Sequence, residues 1–144
     1  MQKESMNPYY NARNYAGMTR PRAAMLLLVL ERSLAEYELD GRPVPDWLVL
    51  KMAELYRTPW LRVQHLQRNA VFCDIFGLVP QMQDRSLNVL RVQKEITDVA
   101  RLLPEIVDHA LERVKFSGRL LKECREGAQA LLVLIGSEKE VGKC

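Results

Sequence analysis

Seven apolar residues, Val89, Val92, Ile96, Val99, Leu103, Ile106 and Ala110, follow one another at strictly alternating spacings of three and four. A strand needs a period of two, so this rhythm fits only a helix carrying one apolar seam, the pattern by which helices pair. Pro104 falls inside the seam. Its ring removes a backbone donor and crowds the preceding turn, which predicts a kink or break near Leu103. Beyond Ser117-Gly118, the residues Leu120, Leu121, Cys124, Ala128, Leu131, Leu132 and Ile135 predict a second amphipathic helix. Residues 70–144 therefore read as a helical hairpin or coiled-coil-like oligomerisation region with a polar tail from Gly136. Val92, Ile96, Val99, Leu103 and Ile106 are its expected dimerisation residues, although the same seam can also close within one chain.

The first half is cut differently. Pro8, Gly17, Pro21, Gly41, Pro43, Pro45 and Pro59 divide it into short segments that show almost no period-two alternation, so five short helices are expected. The first runs over about Tyr9 to Ala16 and ends at Gly17. The second is capped by the Thr19 hydroxyl, with Pro21 in its first turn. The third covers about Arg32 to Glu38 and is broken by Asp40-Gly41. A fourth holds Trp47, Leu48, Leu50, Met52, Leu55 and Tyr56. Thr58 can cap a fifth, which holds Trp60, Leu61, Val63 and Leu66. The fold class is all-α, with domains at 1–69 and 70–144.

Function classes fall away in turn. The longest apolar run, Ala23 to Leu30, is far short of the roughly 20 residues needed to span a bilayer, and no signal-like series opens the sequence, so no membrane partner is expected. Cys73, Cys124 and Cys144 are too scattered for a zinc site or a disulfide framework, which points to a reducing cytoplasm. They are expected to be dispensable for folding, with Cys144 the reactive thiol. His65 and His109 lack neighbours at metal-ligand spacing. With no glycine-rich phosphate loop, nucleophile elbow or paired-carboxylate motif, neither an enzyme nor a metal, cofactor or small-molecule ligand is implied. The net charge of +3 lies wholly in residues 1–69, which hold ten basic and seven acidic side chains, while residues 70–144 are balanced.

From Asn11 to about Leu66 the sequence resembles the lambda-repressor-like, Xre-type helix-turn-helix family. Ala16-Gly17-Met18-Thr19 looks like the family's passage from helix one to helix two, and Ala24 matches the small residue where helix two meets the recognition helix. Val29 matches the apolar turn residue. Ser33-Leu34-Ala35-Glu36-Tyr37-Glu38 resembles a recognition helix ending in Tyr-Glu, Arg42 matches the basic residue of the following loop, and Lys51-Met52-Ala53-Glu54-Leu55 resembles helix four. The resemblance implies a five-helix domain on double-stranded DNA, with Arg20, Arg22 and Arg42 as phosphate contacts. It implies Arg32, Ser33 and Glu36 as base-reading residues, and Leu34 and Tyr37 as core.

The departures from the family pattern are specific. Leu28 replaces the turn glycine, Leu30 the polar cap before the recognition helix, and Asp40 the loop glycine, which is displaced to Gly41. Thr19-Arg20-Pro21-Arg22 lacks the Gln and Glu of a reciprocal capping box. Three glutamates in Glu31 to Glu38 suit a phosphate-walled groove poorly unless they accept bonds from cytosine amino groups. Trp47, Trp60, Tyr37 and Tyr56 could form a base-stacking set, but their helical spacing beside leucines reads as core. The leading expectation is a cytoplasmic, repressor-like transcriptional regulator acting as a homodimer. Its rival is a degenerate helix-turn-helix interaction protein, an anti-repressor or accessory subunit, that has lost DNA contact.

Overall fold

The computed structural model describes residues 7–79, 85–112 and 115–137, and these are all-α, with nine helices among them and no strand. The chain divides into two compact units, residues 1–66 and 67–144. No helix among the described residues is long and apolar enough to cross a membrane.

The first unit holds α1 (Pro8–Tyr15), α2 (Arg20–Leu27), α3 (Glu31–Glu38), α4 (Asp46–Leu55) and α5 (Trp60–Leu66). Asn7 caps α1: its Oδ1 accepts from Tyr9 N at 2.9 Å, and its Nδ2 donates to Tyr37 O at 2.9 Å. One buried side chain thus joins the start of α1 to the end of α3. Gly17, at φ +64°, closes α1 in the left-handed region that glycine enters without penalty. α2, α3 and α4 close through the same geometry without a glycine, at Leu28 (φ 58°), Asp40 (φ 57°) and Arg57 (φ 55°). Leu28 is the costly one, since a γ-branched side chain gains no local hydrogen bond there, unlike Asp.

Ala12, Leu27, Leu34, Leu48, Met52 and Leu61 form the centre of this unit's core, with Tyr37 and Tyr56 beside them. α1 packs against α3, α4 and α5, and α2 against α3 and α4. Three local expectations need correction. Thr19 sits at the α2 N-cap but its hydroxyl makes no capping bond, because Pro21 has already removed one of the donors it would meet. Thr58 Oγ1 is buried without a hydrogen-bond partner, so this hydroxyl caps nothing. Trp47 is exposed rather than core, with Lys51 Nζ 5.2 Å from its ring centroid.

The second unit holds α6 (Ala70–Phe76), α7 (Arg85–Arg101), α8 (Leu103–Glu112) and α9 (Gly118–Ser137). Pro104 does split the seam, leaving Leu102 alone between α7 and α8. α7 and α9 form the main packed pair. They approach closely at Gly127, where a Cβ would stand 3.3 Å from Val99 Cγ2. α6 has no counterpart in the sequence reading. It packs on α9, and Gln129 Nε2 donates to Phe76 O. Cys73 Sγ donates to Gln67 O at 2.8 Å. Cys144, and the polar tail beyond Ser137, lie outside the described residues.

Candidate functional site

The surface singled out by the sequence lies on α2, α3 and the three residues between them. Leu28, in the left-handed region, ends α2, with Val29 N bonded to Ala24 O at 3.0 Å. Leu30 then starts α3 without a side-chain cap, as Thr19 does α2. Neither first turn is closed by a side chain, so both helix ends present N–H groups and the positive end of the helix dipole. Leu34 and Tyr37 are buried on the inner face of α3.

The expected phosphate contacts divide into two kinds. Arg22 is exposed and makes no hydrogen bond or ion pair with a described residue. Arg20 and Arg42 are already engaged. Arg20 Nε lies 3.1 Å from Glu38 Oε2. Arg42 stacks on Tyr37, its Cζ 4.6 Å from the ring centroid, and donates to the Tyr37 hydroxyl at 2.7 Å. Of the expected base-reading residues, Arg32 is almost fully exposed and pairs along the helix with Glu36 at 3.5 Å, a surface bridge of small energetic value. Ser33 is half-buried beside them.

Glu38 is the residue whose role sequence reasoning missed. It is buried, and Arg13 binds it through two nitrogens, Nε to Oε1 at 2.6 Å and Nη2 to Oε2 at 3.0 Å. Arg13 also donates to Met18 O at 2.7 Å. The hydrogen bond to Glu38 holds the Arg13 guanidinium still more firmly charged than usual. One carboxylate therefore ties α1, α2 and α3 together. Nearby, burial pushes ionisation of the Tyr56 phenol above its ordinary range, and its hydroxyl has no hydrogen-bond partner. The signal for Glu38 was the Tyr-Glu ending of α3, but its partner is 25 residues away and no local spacing reveals it.

The α2–α3 surface is also apolar at its turn. Met25, Leu26, Leu28 and Leu30 are exposed, Leu28 to 85%. Their neighbours Arg22, Glu31, Arg32 and Glu36 cancel in charge.

The five dimerisation residues fall in the second unit. Val92 is buried within it, Val99 and Ile106 are half-buried, and Ile96 and Leu103 are exposed. An apolar groove of about 410 Å³ runs between α7 and α9, with Ile96, Val99 and Leu103 on one wall and Cys124, Ala128 and Leu131 on the other. In the same unit, carboxylate oxygens of Glu95, Glu123 and Glu126 lie within 4.8 Å of one another. Lys94 stands 3.4 Å from Glu95 and Lys122 stands 3.8 Å from Glu126, so two ammonium groups already supply countercharge there. Comparison of the chain with protein-family models, with curated proteins and with solved structures finds no match.

Proposed function

We propose that this chain is a non-enzymatic, cytoplasmic transcriptional regulator that binds double-stranded DNA through α2 and α3 and acts as a homodimer through its C-terminal helices. One observation carries the reading: two short helices joined by a three-residue turn, both without side-chain caps, present Arg22 and Arg32 from a rigidly tied frame. Helix N-termini with arginine beside them suit phosphate, and an exposed arginine on the second helix suits a guanine edge. The resemblance to the lambda-repressor-like family adds the same docking geometry, with paired recognition helices about one DNA turn apart.

The test separates affinity from sequence choice. After selection of a site from a random duplex pool, the parent should show binding that falls steeply with salt. Arg22→Ala should weaken binding on all sequences and reduce the salt slope by about one unit. Arg32→Ala should cost about 1–3 kcal/mol at the selected site and relax base choice there. Arg20 is unsuitable as a probe, because its loss also disturbs Glu38. A parent without salt-dependent affinity for any duplex would overturn the reading. The second reading would then stand: an interaction protein that meets its partner through the exposed Met25, Leu26, Leu28 and Leu30.

A further inference from the structure

α8 leaves a large part of its apolar surface in water. On one side it meets its own unit: Glu105 accepts from Ser117 Oγ at 2.7 Å, the His109 ring stacks on Phe116 with centroids 6.1 Å apart, and Ile106 is half-buried. The other side is open. Leu103, Val107 and Leu111 are exposed to 52%, 53% and 78%, and no residue of α8 is buried. A helix this short, with an apolar stripe in water, gains stability from any surface that covers the stripe.

The groove between α7 and α9 is the matching half. Leu121, Cys124, Ala128, Leu131 and Ile135 continue along α9 at spacings of three, four, three and four, the register that receives another helix. Its lining from Cys124 to Leu131 covers about 11 Å of helix, and the ten residues of α8 make about 15 Å. Charge agrees with shape. α8 carries Glu105, Asp108 and Glu112 with no lysine or arginine, whereas α7 and α9 carry Arg91, Arg119 and Arg125 beyond the cations already paired with their own carboxylates. Arg125, exposed, follows the groove-lining Cys124.

α8 cannot fill its own groove, because the single residue Leu102 joins it to α7 and leaves no length of chain for a reversal. We infer that the occupant is α8 of a second copy, each α8 lying in the α7–α9 groove of the other. Leu103 both ends the groove wall and begins α8, so the helix to be donated and the groove to receive it adjoin on each copy, as reciprocal exchange about a two-fold axis requires. The interface is self-complementary, as a closed symmetric dimer requires. This inference rests on the proposed homodimer and gives that homodimer its interlock.

The experiment uses the full chain with Cys73→Ser and Cys144→Ser, so that Cys124 is the remaining thiol. Adding Val107→Cys should give, on mild oxidation, a disulfide between Val107→Cys of one copy and Cys124 of the other, while Cys124 alone should not cross-link. Val107 is exposed in the single chain, so Val107→Glu leaves the fold intact by circular dichroism and weakens self-association in sedimentation by at least about tenfold. A dimer whose Val107→Cys form fails to cross-link, or in which Cys124 alone links as well, overturns the interlock and leaves the homodimer. A parent that sediments as a monomer at 10 µM overturns both, whatever its affinity for DNA.

Discussion

The two units spend their apolar side chains in opposite ways. In the first, fourteen buried residues form one cluster, closed by turns that follow every eight or ten residues. In the second, only Val79, Val92, Leu120, Ala130 and Val133 are buried apolar residues among those described, while fourteen large apolar side chains are exposed. Short helices with frequent turns can wrap one core from several directions. Two long helices joined by a spur bury one face each against the other and leave a second face in water. Helix length, more than composition, sets how much of its apolar surface each unit covers by itself.

Three measurements test that contrast, and both tryptophans, Trp47 and Trp60, lie in the first unit, so their fluorescence reports on it alone. The largest effect is expected at Glu38. Replacing it by Ala strands the Arg13 guanidinium, 6% exposed, and should cost the first unit about 3–5 kcal/mol, the usual penalty for breaking a buried pair. The tryptophan transition should move to lower denaturant while the second unit's helical signal stays. An unchanged midpoint would mean that water reaches this cluster freely.

The second measurement compares concentrations. If the exposed faces of the second unit are covered by another copy, each tenfold rise in protein should stabilise the pair by about 1.4 kcal/mol per mole of dimer, visible in circular dichroism and absent from the fluorescence transition. Midpoints that both ignore concentration would show a second unit that is complete by itself. The smallest effect is at the turn. Leu28→Gly relieves the left-handed strain but adds freedom to the unfolded chain, for a net gain of up to about 1 kcal/mol. Destabilisation would show instead that the exposed Leu28 side chain is packed in solution.

What the sequence revealed follows from which forces are local. Gly17, Asp40-Gly41 and the Pro43 to Pro45 loop act on their own backbones, and the helices stop where those residues say. Pro104 acted in the same way. The seam at Val89 to Ala110 was legible because periodicity is also local. α6 was not, since a seven-residue stretch, Ala70 to Phe76, is too short to display a period. Trp47 misled, because its neighbours Leu48 and Val49 do face the core and its own side does not. In the candidate site, Arg22 and Arg32 are exposed. The inward ties of Arg20 to Glu38 and of Arg42 to Tyr37 depend on tertiary geometry that no spacing encodes.

The clasp of Arg13 and Arg20 on Glu38 fixes α3 by its last residue, while Arg32 and Glu36 lie away from Glu38 on the same helix and join only in surface ion pairs, which contribute little to stability. Mutations at those two positions can therefore accumulate at little cost to the fold. A lineage, or a library, can vary the chemistry of this face while inheriting its scaffold.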